Sequence, residues 1–153
     1  MIIWKGWGIL AVVYIGAMLA LLGGVIGTAV LESATATSVL MPLGLLLGGV
    51  MTAAHGWYLN NTHPARRADA WAEAERPRLE QAAEQGTLVV DNVQPSSREE
   101  AQGMIESVLE QGRRSIKGGP KHSVFWIPME IIGIIAMGAG LIFLVMSSVD
   151  LLV

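Results

Sequence analysis

Cysteine is absent from the 153 residues, which excludes disulfides, thiolate metal sites and a cysteine nucleophile. Charge is scarce as well. Only 15% of the residues are Asp, Glu, Lys or Arg, where a soluble domain carries about a quarter. The few charges are also crowded together: nine of the ten Lys and Arg, and ten of the thirteen Asp and Glu, lie between Arg66 and Lys121. The rest of the chain is almost uncharged, which excludes an ordinary water-soluble globule. A net charge of −3 supplies no basic face for nucleic acid. No phosphate-binding glycine loop, nucleophile elbow or HExxH pair is present. The three histidines have no recognisable metal-ligand spacing. The reading is therefore non-catalytic, with no cofactor.

What the chain has is apolar length. Hydrophobic residues make up 52% of it, and a bilayer core of about 30 Å needs roughly 20 of them in a row. One uncharged run extends from about Trp7 to Val30, a second from about Ser38 to Leu59, and a third from about Pro128 to Ser148. The short connection of residues 31–37 makes the first two a helical hairpin. Lys5, the first run and Ala34-Thr35-Ala36 together imitate a secretory signal. The run of about 24 residues, however, exceeds the roughly 7–15 of a signal's apolar core, so a retained span is expected. The fold expected is an all-α integral membrane protein: a hairpin over residues 1–60, a helical insert over 61–123, and a third span with a short tail over 124–153.

Positive charge sets the orientation. Arg66 and Arg67 follow the second span and Lys117 and Lys121 precede the third, whereas the hairpin connection carries only Glu32. The N-terminus and the insert are thus expected in the cytoplasm, with the C-terminus outside. Trp4, Trp7, Trp57, Tyr58, Phe125 and Trp126 all fall at the cytoplasmic ends of their spans. That is the depth at which a ring with one polar edge is best accommodated.

Within the insert, Ser97-Arg98-Glu99-Glu100 is a capping box, with Ser97 as N-cap. Ala101, Met104, Ile105, Val108 and Leu109 then recur at helical spacing, and Gly112 is expected to stop the run. This apolar stripe, opposite Glu99, Glu100, Glu106 and Glu110, is read as a protein-docking face. Residues 65–85 are helical by propensity, with a break expected at Pro77. Residues 87–90 have strand propensity without a partner strand, which suits an extended linker or pairing with another chain.

Small residues line the spans: Gly16, Ala20 and Gly24 in the first, beside Gly23 and Gly27; Gly44, Gly48, Thr52 and Gly56 in the second; Ala136 and Gly140 in the third. Such stripes let helix backbones approach in lipid. They serve either packing within the chain or a membrane partner. His55 and Glu130 both sit within a few turns of the cytoplasmic face and could meet as a pair able to relay a proton or bind a metal. The plainer reading puts Pro128 at N1 and Glu130 at N3 of the third helix, where a carboxylate suits the helix dipole. His63 and His122 flank the insert beside basic residues, where solvent or headgroup contacts account for them. The basic residues themselves could contact anionic lipid.

The opening Met1-Ile2-Ile3-Trp4-Lys5-Gly6-Trp7-Gly8 and the later His122-Ser123-Val124-Phe125-Trp126-Ile127-Pro128-Met129-Glu130 resemble a group of small, uncharacterised bacterial inner-membrane proteins. These have a helical hairpin, a polar loop shorter than the one here, and a third helix entered through a His-Ser-aromatic-Ile-Pro segment. The resemblance implies an inner-membrane location and no particular activity. Taken together, the sequence points to an accessory or scaffold subunit that meets the bilayer and a membrane-protein partner or further copies of itself. The rivals are a small homo-oligomeric channel or transporter, an immunity-type protein against a membrane-active toxin, and a membrane enzyme or quinone-linked subunit using His55 and Glu130.

Overall fold

The computed structural model describes residues 4–119 and 121–150. The Met1-Ile2-Ile3 part of the resemblance and the tail of residues 151–153 lie outside them, as does the side chain of Trp4. The chain is mostly helical, 81%, and divides into two compact units, Met1–Asn60 with Pro120–Val153, and Asn61–Gly119. Among the described residues, three helices are long and apolar enough to cross a membrane.

In the first unit, helix α1 (Ile9–Met18) continues from Leu19 to Val30 in wider turns closed by i→i+5 bonds, such as Leu31 N–H to Ile26 O at 3.0 Å. The chain reverses at Leu31–Ser33, with Glu32 in the left-handed region at φ 48°. Ser33 then caps helix α2 (Ala34–Trp57), its Oγ accepting from the Ala36 amide at 3.2 Å. The connection is thus shorter than the seven residues expected, because Ser33 is an effective N-cap and recruits Ala34–Thr37 into the helix.

Helix α2 is the centre of this unit and touches its neighbours through missing side chains. Toward the first helix, a Cβ on Gly48 would lie 2.8 Å from the Ile15 Cα, and one on Gly44 would lie 2.7 Å from the Met18 carbonyl. Toward helix α5 (Met129–Asp150), a Cβ on Gly49 would lie 2.7 Å from the Met137 amide, and one on Gly56 2.6 Å from the Glu130 amide. In return, a Cβ on Gly140 would lie 2.7 Å from the Leu46 amide, and one on Gly133 would overlap Ala53. Positions 42, 46, 49, 53 and 56 of α2, with 60 in the wider turns Tyr58–Thr62 that continue it, alternate steps of four and three, the spacing of a seam between antiparallel helices. Ser147 donates to the Ser38 carbonyl (2.9 Å) at the far end of that seam. Thr52 is wholly buried and satisfies its hydroxyl on the Gly48 carbonyl at 2.8 Å.

The expectation of an all-α unit needs one correction. Three two-residue strands, β1 (Trp4–Lys5), β2 (Ser123–Val124) and β3 (Ile127–Pro128), form an antiparallel ribbon in the order β1-β2-β3. Trp4 pairs with Val124 and Ser123 with Pro128. Pro128 therefore belongs to the ribbon rather than to N1, and helix α5 starts at Met129, with Glu130 still in its first turn.

The second unit is a helical hairpin of α3 (His63–Glu84) and α4 (Arg98–Lys117). Helix α3 runs through Pro77, contrary to the break expected there. Pro77 is exposed, and Trp71, Ala72, Leu79, Ala82 and Ala83 pack on the core on both sides of it. The lost hydrogen bond is thus outweighed by burial of the same helix face. The helix ends in a Schellman motif: Gly86 (φ 67°) donates to Ala83 O at 3.1 Å, and Thr87 to Ala82 O at 2.9 Å. This throws Leu88 into the core, so residues 87–90 are tied to their own hairpin and are not a free extended linker. Val90 pairs with Val93 across a two-residue turn, Asp91-Asn92, with both φ positive.

Helix α4 begins at the Ser97 cap as the capping box requires, Ser97 Oγ accepting from Glu100 N at 3.1 Å. The returning carboxylate binds Ser96 instead of Ser97, taking its amide at 2.7 Å and its hydroxyl at 2.6 Å. Gly112 does not stop the helix. A Cβ there would overlap the Trp71 ring, so the glycine is a seat for that indole, and the helix ends five residues later at Lys117. The apolar stripe is likewise spent inside the unit. Ile105 and Leu109 are buried with Ala72, Leu88 and Ala101, and Met104 packs against them, while Val108 is half-buried. The face read as a docking surface is covered by α3, because a two-helix unit must bury its one apolar stripe against the other helix.

Candidate functional site

A polar node closes one end of the membrane-length helices, and the glycine seam explains its position. Gly56 lets α2 approach the first turn of α5, and one turn further on Asn60 arrives beside Glu130. Asn60 is 6% exposed. Its Oδ1 accepts from the His122 amide at 2.6 Å, and its Nδ2 donates to the His122 carbonyl at 3.1 Å and to Glu130 Oε2 at 2.6 Å. The His122 carbonyl also accepts from the Met129 amide at 3.1 Å, and the His122 Nδ1 accepts from the Trp7 amide at 2.9 Å. The node therefore ties together the N-terminal turn Gly6–Gly8, the ribbon, the turns Tyr58–Thr62 that follow α2, and the start of α5. His122, read from sequence as a solvated or headgroup-facing residue, is half-buried and bonded on three of its polar atoms.

His55 lies in a second, separate contact. Its Nδ1 is 2.7 Å from the Tyr14 hydroxyl, with the two rings 5.7 Å apart. Among the described residues no ion pair or hydrogen bond joins His55 to Glu130; each has its own partner, a phenol in one case and an amide in the other. No three His, Asp or Glu among the described residues lie together as a metal-binding group.

Of the small-residue positions, Gly44, Gly48, Thr52, Gly56, Ala136 and Gly140 are buried, whereas Gly16, Ala20 and Gly24 are exposed, with open space beside Gly16 and Gly24. Trp7, Trp57, Tyr58, Phe125 and Trp126 are all exposed. Asn60 is the residue that the sequence reading passed over. Its signal was its place in the four-residue series Gly44, Gly48, Thr52, Gly56, Asn60. At 100° per residue such a series drifts by about 40° per step, which carries it from the first helix at Gly44 to α5 at Gly56 and Asn60.

Outside the membrane-length helices, the Arg114 guanidinium hydrogen-bonds Glu110 and holds its carboxyl below the usual range; the Ser96 hydroxyl and amide do the same to Glu100. No family model, curated protein or solved structure matches the chain.

Proposed function

We propose that this is a multi-pass integral membrane protein of non-catalytic, accessory or scaffold character, seated in a bacterial inner membrane. The observation that carries it is the distribution of exposed apolar side chains. Val12, Val13, Leu21 and Val25 on the first helix, Leu47, Val50 and Met51 on α2, and nine large hydrophobics from Ile131 to Val149 on α5 are each at least 39% exposed. A surface of that extent is compatible with lipid and not with water. The helix contacts beneath it are sealed by glycine against backbone, which speaks against a conducting path through a single copy.

The accessory reading is supported by the outer face of the first helix, where Gly16, Ala20 and Gly24 are left open. A second membrane helix could approach them closely. The candidate groups for chemistry, His55 and Glu130, are instead engaged in holding elements together. Orientation follows the positive charges, with the N-terminus and the helical hairpin of residues 61–119 cytoplasmic. Native mass spectrometry from a mild detergent tests the role. A retained foreign subunit supports the accessory reading, a closed homo-oligomer favours the channel, and a strict monomer removes both. An immunity-type role has no specific observation in its favour.

A further inference from the structure

The turn joining β2 to β3 is built against local preference. Phe125 (φ 47°) and Trp126 (φ 64°) are both left-handed and sit between the paired residues Val124 and Ile127. This is the two-residue hairpin geometry usually filled by Asn-Gly or Asp-Gly, because a side chain on Cβ is crowded there. The same chain makes the same backbone shape at Asp91-Asn92, with residues that tolerate it. At 125–126 two large aromatics occupy it, and much of their surface stands open: Phe125 is 50% exposed and Trp126 77%. Strain held at a turn whose rings stand largely open points to a contact outside the chain.

The surroundings indicate which one. The turn leads directly into α5, a helix of membrane-spanning length and composition. The node ties its ribbon to Trp7 and to Asn60, and Trp57 and Tyr58, two and three residues before Asn60, are exposed like Trp7. Lys5, opposite Ser123 in the ribbon, and Lys121, two residues before it, are also exposed. Aromatic rings with cations beside them match the boundary between acyl chains and phosphates.

We propose that the Phe125–Trp126 turn is a lipid-interface anchor: its two rings insert at the headgroup–acyl boundary, Lys5 and Lys121 lie at the phosphates, and together they set the depth at which α5 enters the bilayer. The proposal rests on the membrane reading above. Its test uses the full chain with Trp4, Trp7, Trp57 and Trp71 replaced by Phe, reconstituted into phosphatidylcholine–phosphatidylglycerol vesicles. Trp126 emission should be blue-shifted, quenched by lipid brominated near the carbonyls, and protected from aqueous iodide. Quenching by iodide as for free tryptophan, without bromolipid quenching, would overturn the anchor.

A second measurement keeps every tryptophan except Trp126. In Phe125→Asn/Trp126→Gly, which suits the turn better, a purely structural turn would leave the ribbon where it is. An anchor would release it, and a nitrobenzoxadiazole label on Ile127→Cys would be reduced faster by external dithionite than in the chain with Phe125 and Trp126 intact. Equal rates would count against the proposal. Extraction of the protein by alkaline carbonate would defeat the membrane reading itself, whereas a membrane-retained protein with a water-accessible Trp126 defeats only the anchor.

Discussion

Asn60 answers a peptide with a peptide-like side chain: its amide matches both the N–H and the C=O of His122 and has one proton left for Glu130. Aspartate has the same shape but lacks the donors and would set a second carboxylate against Glu130. Asn60→Ala strands half-buried partners, each costing up to about 1–3 kcal/mol, so a loss of about 2–4 kcal/mol is expected in unfolding from detergent micelles. Asn60→Asp should be at least as damaging. Glu130→Gln keeps an acceptor for Asn60 and should cost no more than about 1 kcal/mol. Because His55 and Glu130 have different partners, His55→Ala and Glu130→Gln should add within about 0.5 kcal/mol, whereas Asn60→Ala and Glu130→Gln should couple by more than that. Coupling in the first pair and none in the second would mean that the node is wired differently. The capping environment of Glu130 was legible in the sequence, since a carboxylate in a first turn follows from local rules. Its partner was not, because seventy residues separate the two and only the glycine seam brings them together.

For the helices, the same residue type has opposite expected effects according to what stands beside it. Gly48→Leu drives a side chain into Ile15 and Tyr14 and should lower the thermal midpoint of the isolated chain. A Cβ at Gly24 meets nothing within 4 Å, so Gly24→Leu should leave that midpoint alone, and any loss of a larger assembly in this variant reports on a neighbour. In α4, Gly103→Ala also enters open space and should stabilise by about 0.5–1 kcal/mol through helix propensity, whereas Gly112→Ala collides with Trp71 and should destabilise. Acid acts at the start of that helix. The Glu100 carboxyl is held below its ordinary range by Ser96, so its contribution is present above the ordinary carboxylate pKa and is lost as pH falls through the lowered value. The Ser96 and Glu100 amide resonances should report fraying of the first turn on acidification, and Glu100→Gln should remove that dependence. Caps and apolar periods of these helices were readable because they are local. Pro77 and Gly112 were misread as breaks because what decides there is the opposing helix, on which Trp71, Leu79 and Ala82 find their burial.

At the scale of the molecule, three long apolar helices separated by a charged insert follow from where the sequence has no charge. The ribbon does not, since strands of two residues leave no period to detect and β1 lies 118 positions from β2 in sequence. Orientation is a different kind of inference, resting on charge bias at the span ends rather than on any packing contact. The absence of cysteine makes it easy to test, because single cysteines can be introduced without background. Thr35 lies exposed in the first turn of α2, close to the reversal at Glu32, and Gln102 lies exposed on α4. If Arg66, Arg67, Lys117 and Lys121 hold the charged hairpin in the cytoplasm, Thr35→Cys should react with an impermeant maleimide in intact cells and Gln102→Cys only after permeabilisation. The opposite pattern would invert the protein in the membrane. Labelling of both in intact cells would mean that the positive charges do not fix a single orientation. Adding two lysines in the 31–33 connection while neutralising Arg66 and Arg67 should then shift a fraction of the molecules to the opposite pattern, as expected if net positive bias across the first two spans decides the outcome.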